Sequence, residues 1–353
     1  MNKIKTGIAS FGLSGKAFHA PFIETNEAFE LSAICERSKN EALQIYPHVK
    51  IVRSFDDLIA DNSLELIIVN TPDVTHYDYC KGALNAGKHV IVEKPFVFTL
   101  AEGEELIRLA TDKKLMLTVF QNRRWDGDFL TIQDVLRGNK LGRIVEYRAC
   151  FQRFRPQIAN TWKEQNDRRV GIVYNLGPHL VDQAVCLFGK PAGVFAQITK
   201  LRDGSQIDDY FSITLIYYQL QVALSASMLI KEPTASFVLH GTNGSFVKYG
   251  IDPQENQLRE GIKPTDANYG LDLPEMYGTI FYEENGETCR ETIETCRETI
   301  ETIKGDYMHY FNAVAHSIRE QVAPPVSPEE NLLIIRILEA AYKSSDENQV
   351  VFL

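Results

Sequence analysis

The chain reads as an α/β protein: an N-terminal doubly wound parallel sheet, then an α/β domain built on an open, mainly antiparallel sheet. Three observations predict this. In the first third, short apolar runs without polar alternation recur between helical segments, as parallel strands covered on both faces do. After about Gln121 the apolar residues alternate with polar ones at period two, the pattern of a sheet with one covered face. A length of 353 residues exceeds what one core usually serves, so two domains are expected, 1–121 and 122–353.

The first domain begins with a strand over Ile4–Phe11 and a helix opening near Gly12. Further buried strands are expected at Phe29–Cys35, Leu66–Val69, His89–Val92 and Leu115–Val119, with helices over Phe55–Asp61 and His76–Ala86. Thr99-Leu100-Ala101-Glu102 is a capping box that starts a helix running to about Lys113. Beyond Gln121 a helix near Phe129–Arg137 leads into alternating segments at Ile144–Phe154, Val194–Lys200, Tyr210–Tyr218, Gln221–Ile230 and Ser236–His240. One helix, near Leu176–Phe188, interrupts them, and Gly241–Gly244 supplies a turn. Leu332, Ile335, Leu338 and Ala341 recur at helical spacing, so 328–344 should form an amphipathic helix able to pack back on the first domain.

A net charge of −10 with no Lys/Arg block argues against a nucleic-acid partner, which needs a basic face. No run approaches the roughly 20 apolar residues that span a bilayer, and the start Met1-Asn2-Lys3-Ile4-Lys5 lacks the apolar core of a signal peptide. A cytoplasmic protein is expected, with no membrane partner. The six cysteines are scattered without CxxC spacing, which suggests reduced, mostly buried thiols and no metal site. The uncovered sheet face of the second domain is the expected seam of a homo-oligomer, a dimer or tetramer. Glu287–Ile293 reads ETCRETI and Glu294–Ile300 repeats it, a tandem duplication expected in a surface hairpin or loop. No chemistry should depend on Cys289 or Cys296.

Ser10-Phe11-Gly12-Leu13-Ser14-Gly15 ends the first strand with a glycine-rich turn in which Ser10 takes the first glycine position of the G-x-G-x-x-G fingerprint. Gly12 lets the backbone approach a pyrophosphate and Gly15 permits close helix–strand contact. Phe11, Gly12, Leu13 and Ser14 are therefore candidate cofactor contacts. Glu36 ends the second strand about 20 residues later, where a carboxylate accepts ribose hydroxyls and favours NAD. Arg37, Ser38 and Lys39 follow and suit the 2′-phosphate of NADP, so the choice stays open with a slight lean to NAD. Asn70-Thr71-Pro72 ends another strand with a polar turn facing the cofactor's ribose or phosphate, and His76 either joins it or caps the next helix.

Glu93-Lys94-Pro95 puts a lysine at the carboxyl edge of a buried strand, the edge where ligands sit in open α/β sheets. Hydride transfer from a secondary alcohol needs a nicotinamide, a fixed hydroxyl and a group to take its proton. Lys94 suits the hydroxyl, because it holds the oxygen and stabilises developing negative charge. Asn175 and His179 lie four apart, on one face if helical, and His179 titrates in the working range. Asp182, three residues on, orients that imidazole or caps a turn. Gln121-Asn122-Arg123-Arg124-Trp125 forms a polar cluster after the last parallel strand. Gln121 and Asn122 suit the cofactor and Arg123 the substrate, with Arg153, Arg155 and Trp162 on the far wall.

Together these residues resemble the Gfo/Idh/MocA oxidoreductases over nearly the whole chain. Phe18-His19-Ala20-Pro21-Phe22 and Lys248-Tyr249-Gly250-Ile251-Asp252 resemble a branch containing scyllo-inositol 2-dehydrogenases. The resemblance implies a Rossmann domain plus an open-sheet α/β domain, with Lys94 as the family's EKP lysine and Glu93 beside the cofactor. It implies His179 as the catalytic histidine. The family usually carries aspartate four residues before that histidine, where this chain has Asn175. An amide binds a hydroxyl but cannot accept its proton. The expected activity is NAD(P)-dependent oxidation or reduction of a cyclic polyol or sugar. A nicotinamide-sensing regulator of the same fold, or a dehydrogenase of another small carbonyl compound, are the alternatives.

Overall fold

The computed structural model describes residues 2–158, 170–283 and 295–353. The parallel sheet takes its strands from β1 (Ile4–Ile8), β2 (Phe29–Cys35), β3 (Lys50–Val52), β4 (Leu66–Val69), β5 (His89–Val92) and β6 (Leu117–Val119). Their order is β3-β2-β1-β4-β5-β6, every pair parallel. The order reverses direction between β1 and β4, and the carboxyl edge at that switch is where such sheets take ligands. All four residues of β4 and Val90–Val92 of β5 are fully buried, which explains why their sequences do not alternate. Between the strands run α1 (Ala20–Thr25), α2 (Glu41–Ile45), α3 (Phe55–Ile59), α4 (His76–Asn85) and α5 (Leu100–Lys113). The Thr99–Glu102 capping box of α5 forms with both reciprocal bonds.

The chain continues through α6 (Gly127–Arg137), β7 (Ile144–Gln152), α7 (Ile172–Phe188), β8 (Gly193–Thr199), β9 (Tyr210–Tyr217), β10 (Leu220–Ser227), β11 (Phe237–Gly241) and β12 (Gly244–Lys248). It ends with α8 (Gln254–Arg259), β13 (Gly278–Glu283), β14 (Thr295–Ile300), α9 (Met308–Glu320), α10 (Pro328–Glu347) and β15 (Val351–Phe352). The second sheet has the order β14-β13-β12-β11-β7-β10-β9-β8-β15. Only β7 and β10 pair in parallel; the other described pairs are antiparallel. Phe211, Ile213 and Leu215 of β9 face inward beside Val222, Leu224 and Ala226 of β10, the covered half of the period-two pattern. Helix α7 packs against β7, β9 and β10.

By contacts the chain divides into two units that interleave along the sequence. The first holds Met1–Trp125, Pro253–Gly270 and Asp306–Ile335; the second holds Asp126–Asp252, Leu271–Gly305 and Arg336–Leu353. A cut near 121 follows chain order, whereas packing returns α8, α9 and the start of α10 to the first unit. The cause is an aromatic cluster. Phe311 of α9 stacks on Phe22 at 5.2 Å between ring centres and meets Phe120 at 5.7 Å. Buried Gln254 of α8 accepts from the Tyr307 N–H and the Tyr269 hydroxyl and donates to the Trp125 carbonyl.

Short α2 and β3 lie outside the sequence expectation, as do β12, β13, β15, α8 and α9. Five and three residues are too few to show a period. In the duplicated heptad, Thr295–Ile300 of the second copy is strand β14, paired antiparallel with the preceding strand β13 as in the hairpin alternative of the expectation; the first copy lies outside the described residues. Cys35 and Cys80 are buried, Cys150 and Cys296 half-buried, and Cys186 exposed, so burial is less general than expected. Among the described residues no helix is long and apolar enough to cross a membrane. None of them form a cluster of three or more His, Cys, Asp or Glu fit for a metal ion.

Candidate active site

A cleft of about 890 Å³ opens at the carboxyl ends of β1, β2 and β4, lined by the 9–13 turn, Lys16, the loop after β2, Thr71 and Pro72. Asn70, at the end of β4, holds the turn beside it. Its Oδ1 accepts from the Ser10 N–H at 2.9 Å and its Nδ2 donates to the Ser10 carbonyl at 2.8 Å. The side chain thus ties β4 to the turn after β1, so Ser10 occupies the first glycine position without loss of the turn. A Cβ on Gly15 would lie 2.2 Å from the Ser10 carbonyl oxygen, so only glycine lets the following helix come this close. A Cβ on Gly12 would meet only the Ser10 Oγ, at 3.7 Å. That open space above Gly12, at a strand end with unobstructed backbone, fits a dinucleotide pyrophosphate. Phe11 is buried and Leu13 exposed, both at the cleft wall.

Glu36 lines the cleft with both carboxylate oxygens engaged by the chain that follows it. Its Oε1 accepts from the Glu41 N–H at 3.2 Å and its Oε2 from the Ala42 N–H at 3.1 Å. Both oxygens cap α2, which satisfies two of the backbone donors that a helix start leaves over. Arg53 braces the same loop, donating to the carbonyls of Glu36 and Lys39 and to Asn40 Oδ1. Arg37, Ser38 and Lys39 remain exposed at the cleft.

At the end of β5 the Glu93 carboxylate accepts from the Ser14 hydroxyl and lies 3.0 Å from Nε2 of fully buried His19. Burial pushes the Glu93 carboxyl up, but the His19 bond and charge, the Ser14 hydroxyl and the Lys94 ammonium together hold it below its usual range. Glu93 therefore links the glycine turn to the strand end that carries half-buried Lys94. His76 is fully buried, with Nδ1 2.8 Å from the Pro95 carbonyl and Nε2 3.1 Å from the Thr71 carbonyl. Both ring nitrogens face main chain, so His76 fastens two strand-end loops and offers no nitrogen to a ligand. Thr71 Oγ1 bonds Thr75 Oγ1, and Pro72 is exposed.

Buried Gln121 donates to Asn331 Oδ1 at 3.0 Å, and Arg123 pairs with Glu255 at 2.8 Å. Asn122 is buried beside them. Gln121 and Arg123 thus knit segments far apart in sequence, a role invisible until α8 and α10 are placed.

In the second unit, α7 carries Asn175, exposed, and His179, buried, one turn apart. The helix starts earlier than the sequence suggests because Asp208 caps it: its Oδ2 accepts from the Val173 N–H at 2.9 Å, and its Oδ1 from the Tyr342 hydroxyl. Burial raises the Asp208 carboxyl, against those two bonds. A Cβ on Gly171 would lie 2.2 Å from Asp208 Oδ1, so glycine is needed there too. Asp182 and Gln183 are buried on the same helix. Arg153 and Arg155 follow β7, with the Arg153 main chain held by Ser227 and Ile230 and the Arg155 N–H by Met228. Trp162 lies outside the described residues. Asp208 and the Ser10–Asn70 lock escaped the sequence reading; an Asp-Asp pair directly before an alternating segment was the one available signal for the former.

Comparison with known proteins agrees with this architecture. Residues 4–121 match the oxidoreductase family's NAD-binding Rossmann fold, and residues 133–353 match its C-terminal alpha/beta domain. The scyllo-inositol 2-dehydrogenase (NADP(+)) IolW of Bacillus subtilis is 38% identical over all of this chain and 97% of its own length. The uncharacterized oxidoreductase YdgJ of Escherichia coli is 36% identical over all of this chain and 99% of its own. The crystal structure of a candidate oxidoreductase from Bacteroides fragilis is 45% identical and superposes with a TM-score of 0.91 over the whole of both chains. Sheet order, glycine turn, EKP segment and full-length relatives lead to one conclusion: the chain belongs to the Gfo/Idh/MocA family of oxidoreductases, with that family's NAD-binding Rossmann domain.

Proposed function

We propose that this chain is an NADP-dependent dehydrogenase that moves hydride between the nicotinamide and a secondary alcohol of a cyclic polyol or sugar, of the scyllo-inositol kind. The observation that supports the cofactor choice is the direction of Glu36. A carboxylate aimed at the ribose would repel a 2′-phosphate, but both Glu36 oxygens are engaged by α2. The loop then presents Arg37, Ser38 and Lys39, two cations and a hydroxyl, which suit a phosphate dianion. This reverses the lean to NAD that Glu36 gives in the sequence. The NADP(+) dependence named for IolW supports the same choice, and its named substrate supports the polyol.

The bound nicotinamide supplies the hydride acceptor or donor. Lys94 holds the substrate oxygen and stabilises its developing charge, kept in place by the Glu93 tie to Ser14 and His19. His179 carries the alcohol proton, and Asn175 donates to or accepts from a neighbouring hydroxyl. The uncovered face of the nine-stranded sheet serves as the seam of a homo-oligomer, which light scattering in solution would check.

The test is a panel of inositols, aldoses and small carbonyl compounds followed by nicotinamide absorbance with both cofactors. Turnover of a cyclic polyol with NADP and its loss in Lys94→Ala, with cofactor affinity retained, is the expected result. Near-normal turnover in that variant would remove Lys94 from the reaction. Silence across the panel, with cofactor still bound, would favour a sensing role instead.

A further inference from the structure

We propose that Glu41 is an internal competitor for the anion site of the cofactor cleft. Its carboxylate holds Lys16 and Lys39 in the ligand-free chain and yields them to the 2′-phosphate of the dinucleotide. This rests on the NADP reading above and adds a residue that sets how strongly the phosphate is preferred.

The two lysines come from different loops. Lys16 lies just past the glycine turn, its ammonium 5.5 Å from the centre of the Phe11 ring, and Lys39 lies on the loop after β2. Glu41 joins them, Oε2 accepting from Lys16 and Oε1 from Lys39 at 2.7 Å. Lys16, Lys39, Glu41 and Arg37 all line the same cleft. Among the described residues the Glu41 side chain makes no other polar contact, and it is not needed to cap α2, because Glu36 already serves that helix start. Its place is therefore not explained by holding the helix.

The exchange is feasible on physical grounds. Side-chain exposures of 41% for Lys16, 35% for Glu41 and 69% for Lys39 put the pairs at the solvent boundary. Ion pairs there hold weakly. A phosphate dianion brings more charge and more acceptor oxygens than one carboxylate, so it takes the lysines preferentially. The Lys16 and then the Lys39 hydrogen bonds hold the Glu41 carboxyl down to about 2, so the competitor is ionised at any working pH. Arg37 has no acidic partner among the described residues and gives the phosphate a first foothold.

The experiment is calorimetric titration of wild type, Glu41→Gln and Glu41→Ala with NADPH, NADH and adenosine 2′,5′-bisphosphate. Expected is a tightening of about 3- to 10-fold for NADPH and for the bisphosphate in both variants, the gain from releasing two surface pairs. The NADPH-to-NADH affinity ratio should rise with it. A wild type that prefers NADPH while both variants bind it equally well or more weakly would overturn this inference alone. A wild type that prefers NADH and ignores the bisphosphate would overturn the NADP reading and this inference together.

Discussion

Adding one methyl group at Gly15 should do far more harm than adding one at Gly12, although both glycines belong to the same turn. At Gly15 the new Cβ would sit 2.2 Å from the Ser10 carbonyl oxygen and 3.0 Å from Asn70 Nδ2. Ordinary contact lies near 3.4 Å or beyond, so the helix or the turn must retreat by about 1 Å. Overpacking of that kind costs about 1–3 kcal/mol. The atoms struck are the carbonyl and the amide of the Ser10–Asn70 lock, whose two bonds measure 2.9 and 2.8 Å, so roughly 1 kcal/mol more is lost with one of them. Gly15→Ala should therefore lower stability by about 2–4 kcal/mol, a fall in melting temperature of roughly 3–5 °C for a chain of 353 residues. At Gly12 the Cβ would meet only Ser10 Oγ at 3.7 Å, so the ligand-free fold should be indifferent to Gly12→Ala. Its cost should appear on binding, as a loss of about tenfold or more in NADPH affinity where the pyrophosphate approaches the backbone. Thermal unfolding and calorimetric titration of both variants separate the two effects. A Gly15→Ala protein with wild-type melting temperature, or a Gly12→Ala protein with wild-type cofactor affinity, would refute the reasoning.

In the chemistry, Lys94→Ala should lower kcat by about 10²–10⁴-fold with cofactor affinity near wild type, checked by steady-state kinetics and titration. Asn175→Asp, by placing a carboxylate one turn from His179, should move the acid limb of the pH–rate profile upward, and His179→Ala should abolish that limb. Profiles unchanged in both variants would show that the proton travels through Lys94 and water. Because the folded Glu93 carboxyl is held below its usual range, its contribution is present above about pH 4.3, the unfolded value, and lost as pH falls through the folded one. Glu93→Gln should flatten that acid loss in urea titrations run from neutral pH downward. In the second unit, buried Lys248 pairs with Asp272 at 2.7 Å and donates to the Met276 carbonyl, so Asp272→Ala should cost about 3–5 kcal/mol in urea unfolding. A loss under 1 kcal/mol would show that the ammonium finds other partners.

The sequence alone determined what local pattern encodes. Unbroken apolar runs at Leu66–Val69 and His89–Val92 meant strands covered on both faces, and those residues became the central parallel strands. Thr99 and Glu102 specified the start of α5, because a capping box needs only residues three apart. Period-two alternation predicted the second sheet, and spacing placed Asn175 and His179 on one helix. The glycine turn and the EKP segment were legible for the same reason, since each is a pattern of a few contiguous residues at a strand end. What only the tertiary structure decided was where buried polar groups found their partners. Glu36 had a ribose-facing position by spacing, yet its oxygens went to the start of α2, a helix too short to announce itself. Gln121 and Arg123, candidate ligand contacts by position, also find partners in Asn331 and Glu255, supplied from more than a hundred residues away. His76 closed on two carbonyls, and Asp208 set the first turn of α7 across a gap of 35 residues. A buried polar atom left unpaired costs free energy, so the group takes whichever donor or acceptor folding brings within reach. That neighbour is fixed by the packing of the whole unit and leaves no periodic trace in the chain.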